Sequence, residues 1–216
     1  MKVFYINLDR REDRNKKFLE TCPLKLDIHR FSAIDGRTDK SHIKYQYIQN
    51  NMIELNSGEY ACFASHYMLW EKLLQSEDSH FLIFEDDAIF CDNFTEKLQK
   101  CLQYINNVSS ILYIGGRFEP NFKSTNSTKI NDEISKFDFT KSWDGETCDR
   151  TAHAYIIHRD LAKILLKELE NPIWNGPLDQ YITHVLKKYK LDIFSCNPLL
   201  CHSLEVASDS DIRNED

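Results

Sequence analysis

The chain has 216 residues, 42% hydrophobic and 28% charged, the balance of an ordinary globular protein long enough to bury its own core. Its formal net charge of -7 argues against nucleic acid as a partner, because a phosphate backbone wants a basic face. A nucleotide needs only a local site and stays compatible.

Seven cysteines occur, at 22, 62, 91, 101, 148, 196 and 201, with no CxxC pair. The odd count and the spacing argue against a disulfide framework or a zinc cluster and predict reduced, mostly buried thiols. The N-terminal apolar run is too short for the core of a signal peptide, and charge follows at once. No stretch approaches membrane-spanning length. The expectation is a cytoplasmic protein with no transmembrane segment, in which the sequon at Asn126-Ser127-Thr128 carries no weight.

In chain order, Lys2 to Leu8 reads as a β-rich run, followed by a helix over Arg10 to Glu20. Asp27 to Phe31 is a short strand, and Ser32-Ala33-Ile34-Asp35-Gly36 a turn. Gly58 to Gln75 is helical, with Ala61, Ala64 and Met68 on one stripe and Cys62, Leu69 and Leu73 beside it. Phe81 to Phe84 is a continuous apolar run, as in a strand covered on both faces. Phe94, Leu98, Cys101, Leu102 and Ile105 recur at helical spacing. Ile111 to Ile114 is another buried strand, closed by Gly115-Gly116. The polar stretch 119–149 has no clear period and reads as a long loop or a small hairpin. A strand follows over His153 to Ile157, then a helix near Leu161 to Leu169. Pro177 opens the next helix, and Leu191 to Phe194 is the last strand. The tail 203–216 is polar. The alternation predicts an α/β fold, one domain over 1–216 with a mostly parallel sheet covered on both sides.

The strongest local signal is Glu85-Asp86-Asp87, three carboxylates directly after a buried strand. Ligands bind at the carboxyl ends of strands in such sheets, and alternation would turn Glu85 and Asp87 to one site and Asp86 away. Crowded acids beside an apolar core want a cation, and hard oxygen ligands suit Mg²⁺ or Mn²⁺. The alternative is a solvated turn. Asn7 to Arg14, at the end of the first strand, could hold a base, ribose or phosphate, or simply form a charged helix start. Ser65-His66 lies within a helix, where a lone histidine is usually packed or on the surface. Asp179 stands in a first helical turn. The macrodipole favours an acid there, and a carboxylate so placed could also take a proton from an incoming hydroxyl.

Taken together and in order, these segments resemble glycosyltransferase family 25. Ile6 to Arg11 with Asp13-Arg14 is similar to its opening motif, and Phe31 to Gly36 to its second. Gly58 to Cys62 through Ser65-His66 and Trp70 resembles its most distinctive helix. Phe84-Glu85-Asp86-Asp87 resembles its acidic, DxD-like motif. Thr151 to Tyr155, Pro177-Leu178-Asp179 and Ser210-Asp211-Ile212 resemble later blocks.

The resemblance implies a GT-A type, Rossmann-like fold, a UDP-sugar donor, a divalent metal and inversion at the anomeric carbon. It implies a hexose, galactose or glucose, passed to a hydroxyl of a saccharide or protein acceptor. Asp87 is then the first metal ligand, with Glu85 or Asp86 assisting. Asn7, Asp9, Arg10, Asp35, Gly36, Ser65 and Asp86 are candidates for the nucleotide-sugar, and Asp179 for the base. Where the family has a glutamine after the proline of the last strand, this chain has His202 after Pro198, read either as a further metal ligand or as a polar loop residue. Two other classes stay open: a sugar- or nucleotide-binding pseudoenzyme, and a metal-dependent nucleotidyltransferase.

Overall fold

A computed structural model of the protein describes residues 1–23, 28–53, 55–116, 127–137, 151–170, 174–203 and 211–212. The first half runs β1 (Lys2–Asn7), α1 (Glu12–Thr21), β2 (Ile28–Ser32), α2 (Ile43–Asn51), β3 (Met52–Ile53), α3 (Ser57–Gln75), β4 (His80–Glu85), β5 (Ala88–Phe90) and α4 (Phe94–Leu102). The second half runs β6 (Ile111–Tyr113), β7 (Gly115–Gly116), β8 (Ser127–Lys129), β9 (Ile134–Phe137), β10 (Ala154–His158), α5 (Arg159–Glu168), β11 (Trp174–Asn175), α6 (Leu178–Lys188), β12 (Ile193–Cys196) and β13 (Cys201–Ser203).

The apolar runs of β1 and β4 form buried strands because side chains of alternating parity enter two different cores. Phe4, Ile6, Phe81 and Ile83 pack with α2, α3, α5 and α6. Val3, Tyr5, Leu82 and Phe84 pack with Phe18 of α1 and with Phe94 and Leu98 of α4. The α/β architecture expected from the sequence is therefore present, with helices on both faces of one sheet.

That sheet has eight strands in the order β2-β1-β4-β10-β6-β12-β9-β8. β10 and β9 run against the other six, so the sheet is mixed around a mostly parallel set. The antiparallel entry of β10 matters for function. Ala154 pairs with Phe84 and His158 with His80, and the Glu85 amide donates to the His153 carbonyl at 2.8 Å. The residues that precede β10 thus lie at the carboxyl end of β4.

Three expectations shift. The last strand is β13, not the run ending at Phe194; it lies between β5 and β7 in a separate three-stranded sheet. Gly115-Gly116 does not close a strand but forms β7, pairing with Cys201 and His202. A Cβ on Gly115 would stand 2.6 Å from His153 Nε2 and 2.8 Å from Cys201 Sγ, so only glycine lets these strands approach. The helix expected to reach Ile105 ends at Leu102, and Ile105–Asn107 is a 3₁₀ turn. Of the polar stretch 119–149, residues 127–137 hold the β8–β9 hairpin, which extends the far edge of the sheet. The rest lies outside the described residues, as does most of the tail.

Candidate functional site

The carboxyl ends of β1 and β4, the start of α3 and the first turn of α6 enclose a cleft of about 430 Å³. The start of α3 is held by a reciprocal cap. Glu59 N donates to Asn56 Oδ1 at 2.8 Å, and Asn56 N donates to Glu59 Oε2 at 2.9 Å. This fixes the helix that carries Cys62, Ser65 and His66 into the cleft wall.

The three acids at the end of β4 have three different environments. Glu85 accepts from His66 Nε2 at 3.2 Å. Burial pushes its carboxyl up, but the bond from His66 and attraction to the basic groups His66, His153 and Arg14 outweigh it, and the pKa ends below its ordinary value. Asp86 turns the other way, accepting from Asn7 Nδ2 at 2.6 Å and from Arg14 at 3.0 Å. Burial raises its pKa nonetheless. Asp87 is pushed up to about 7, first by burial and then by the charge of Glu85. Its Oδ1 is buried without a hydrogen-bond partner among the described residues. A buried carboxylate oxygen left unbonded beside a second acid is costly unless a cation occupies the space. The residues therefore fit a divalent ion held by Asp87 and Glu85.

Behind Glu85 runs a chain of donors. Trp70 Nε1 can only donate, and does so to Tyr155 Oη at 3.1 Å. Tyr155 Oη lies 2.8 Å from His66 Nδ1. With Tyr155 donating to Nδ1, the ring proton sits on Nε2 and points at Glu85. Sequence reasoning left His66 as a lone packed histidine. The chain Trp70, Tyr155, His66 and Glu85 gives it partners on two other elements, β10 and β4. The one sequence signal is the spacing of Cys62 and His66, one helical turn apart on a face that also carries Trp70.

The remaining candidates separate clearly. Asn7 is 1% exposed and fully engaged, since it also donates to the Arg11 carbonyl and accepts from Arg30 at 2.8 Å. Arg10 lines the cleft between Asp35 and Asp211, each at 2.6 Å. Asp211 also takes Arg11 at 2.6 Å, which ties the C-terminal segment to the start of α1. Ser65 is fully buried. It accepts from Ile34 N at 3.0 Å and donates to the Ala61 carbonyl at 2.8 Å, holding the loop after β2 against α3. Gly36 presses on the same helix: a Cβ there would meet Ser57 O at 2.3 Å.

Asp179 lines the cleft, and its Oδ1 accepts from Gln180 N at 2.8 Å. Asp9 pairs with Arg30 at 2.7 Å and stands 73% exposed, outside the residues that line the cleft. His202 also stands outside them: it pairs with Ile89 of β5 and Gly116 of β7, and the neighbouring Ser203 reaches the wall instead. Sequence reasoning placed Arg14 in a phosphate- or ribose-binding segment and not at the acidic turn that it reaches, and gave no site role to Thr151 and His153, which reach that turn through the reversal of β10.

The chain belongs to glycosyltransferase family 25: the model described as "Glycosyltransferase family 25 (LPS biosynthesis protein)" matches residues 1–182. It is 31% identical to human procollagen galactosyltransferase 2 over 126 residues, 52% of this chain and 20% of that protein. It is 28% identical over 229 residues to the procollagen lysyl hydroxylase and glycosyltransferase of Acanthamoeba polyphaga mimivirus, 94% of this chain and 24% of that one. A mouse relative at 30% over 127 residues, 52% of this chain and 21% of its own, is named inactive glycosyltransferase 25 family member 3. The chain thus spans about a fifth to a quarter of the length of these relatives. Among solved structures, galactosyltransferase LgtC with donor and acceptor sugar analogues matches at TM-score 0.47 and 12% identity, over 86% of this chain and 70% of that one. No helix among the described residues is long and apolar enough to cross a membrane.

Proposed function

We propose that this chain transfers a hexose from a UDP-sugar to a hydroxyl of a saccharide or protein acceptor, with inversion and with Mn²⁺ or Mg²⁺ as cofactor. The observation that carries the reading is the buried Oδ1 of Asp87, unbonded among the described residues, beside Glu85 in the cleft. The names of the relatives favour galactose, and a collagen-like hydroxyl as one acceptor class.

A divalent ion held by Asp87 and Glu85 would neutralise the diphosphate as it leaves. The chain's own groups do the rest. The chain from Trp70 to His66 keeps Glu85 ionised and fixed. Asn7 and Arg14 hold Asp86, so the turn cannot collapse. Arg10, Asp35 and Gly36 border the space for the nucleotide. Asp179 takes the proton of the acceptor hydroxyl during a single in-line attack.

The names of relatives called inactive favour a second reading, a family member that binds sugar or nucleotide and turns nothing over. One experiment addresses both, and the nucleotidyltransferase class as well. A panel of UDP-sugars is incubated with the protein and Mn²⁺, and slow hydrolysis without acceptor is followed. Release of UDP from one donor is expected. Pyrophosphate chemistry would indicate a nucleotidyltransferase, and donor binding with no product the inactive reading.

A further inference from the structure

The cleft wall holds a second set of ligand atoms, which overlaps the acidic turn at Glu85 and adds sulfur and nitrogen. Cys62 and His66 sit one turn apart on α3, and both face Glu85 at the end of β4. Cys62 Sγ lies 3.9 Å from Glu85 Oε1, and His66 Nε2 lies 3.2 Å from the same oxygen. One ligand atom from each of the three falls within 4.8 Å of the others. Zinc bonds of about 2.3 Å to sulfur and about 2.0 Å to nitrogen and oxygen place neighbouring corners of a tetrahedron roughly 3.3–3.6 Å apart. Two separations, 3.2 and 3.9 Å, lie on either side of that range and the third is within 4.8 Å, so a closing of rotamers about the three would admit an ion.

We infer that Cys62, His66 and Glu85 form a soft-metal site for Zn²⁺ that shares Glu85 with the hard-oxygen turn of Asp87 and adds a sulfur and a nitrogen to it. A thiolate and an imidazole select zinc over magnesium or manganese. Three protein ligands leave a fourth corner open toward the cleft, the pattern of an accessible rather than a closed site. The support for the ligands is already built. Tyr155 stands at His66 Nδ1, so on metal binding the ring proton can move from Nε2 to Nδ1 and donate to Tyr155 Oη, and Nε2 gives up its bond to Glu85 and turns bare to the metal. Binding replaces the Cys62 S–H bond with a Zn–S bond and releases that proton to solvent. Zn²⁺, thiolate, carboxylate and neutral imidazole then sum to zero charge, which suits a half-buried site.

The inference does not depend on the transferase reading, and its test reads metal binding rather than turnover. Zn²⁺ is titrated into the whole chain, in millimolar Mg²⁺, against a chromogenic chelator. The wild type should take up one Zn²⁺ at micromolar or lower concentration. Cys62→Ser should weaken uptake at least about tenfold, and Asp87→Asn should change it little. Co²⁺ in place of Zn²⁺ should give a thiolate charge-transfer band that Cys62→Ser lacks. Should Cys62→Ser fail to fold, alkylation of the wild type replaces it. Zn²⁺ should slow alkylation of Cys62 while leaving Cys22 and Cys91 unchanged. Equal uptake by wild type and Cys62→Ser, loss of uptake in Asp87→Asn alone, or alkylation of Cys62 indifferent to Zn²⁺ would each overturn the inference.

Discussion

Asn7 donates to Asp86 at 2.6 Å across 79 residues of sequence, binding the end of β1 to the acidic turn after β4. Asn7 spends both amide hydrogens, on Asp86 and on the Arg11 carbonyl, and accepts from Arg30. Asn7→Ala removes three bonds made by a buried side chain, although Asp86 keeps Arg14, the Arg11 carbonyl keeps Asn15 N and Arg30 keeps Asp9, and should cost about 1–3 kcal/mol of stability. Asn7→Asp should do at least as much harm, by setting a second carboxylate against Asp86. Denaturant midpoints measure both, and an unshifted midpoint in Asn7→Ala would show that the bond contributes nothing.

The loop after β2 is set by contact rather than by charge. Adding a Cβ at Gly36 would place it 2.3 Å from the Ser57 carbonyl, and backbone cannot yield there without moving the start of α3. Gly36→Ala should lower stability by about 1–3 kcal/mol and weaken donor binding with it. A variant of normal stability and donor affinity would mean that the loop relaxes freely.

Asp179 should separate binding from chemistry. As the base it acts on the acceptor hydroxyl, so Asp179→Asn should slow transfer by a factor on the order of a hundred or more while UDP-sugar affinity stays nearly unchanged. Donor titration and single-turnover transfer together decide the point. Loss of donor binding would make Asp179 a donor ligand instead.

The contribution of two buried histidines to stability should fall on acidification. His80 is buried, its Nε2–H donates to the Val108 carbonyl at 2.9 Å, and burial holds its pKa below the ordinary value. His153 is held down to about 4, again chiefly by burial. Below about pH 6.5 the unfolded chain takes up protons that these folded rings refuse. Their contribution is complete above that pH and is lost as pH falls toward the folded values. His80→Gln removes one such group, so the stability advantage of wild type over the variant should shrink between pH 7 and 5. An advantage that grows on acidification would reverse the sign and refute the assignment.

Much of this arrangement is legible in sequence. β1 and β4 show as apolar runs because both faces of each are covered, and the acids show because they break such a run at its end. The direction of β10 is not legible, since burial records which faces are covered and not which way a strand runs. That reversal is what brings His153 to the acidic turn. β13 escapes notice because Cys-His-Ser is short and carries no period. Helix α2 escapes because it buries only Tyr45 and Ile48 while Ile43 stands 74% exposed, leaving no continuous stripe. The role of His66 depends on Glu85 and Tyr155, which are 19 and 89 residues away, and no local pattern carries that.

The central claim is that Asp87, with Glu85, holds the divalent ion on which donor turnover depends. The most direct measurement is UDP release from the preferred UDP-sugar by wild type and Asp87→Asn at saturating Mn²⁺, with folding checked by thermal unfolding, alongside wild type in excess chelator. The account predicts a loss on the order of a hundredfold or more in the folded variant, as for removal of transition-state electrostatics, and a comparable loss in chelator. Full turnover in either condition would contradict it.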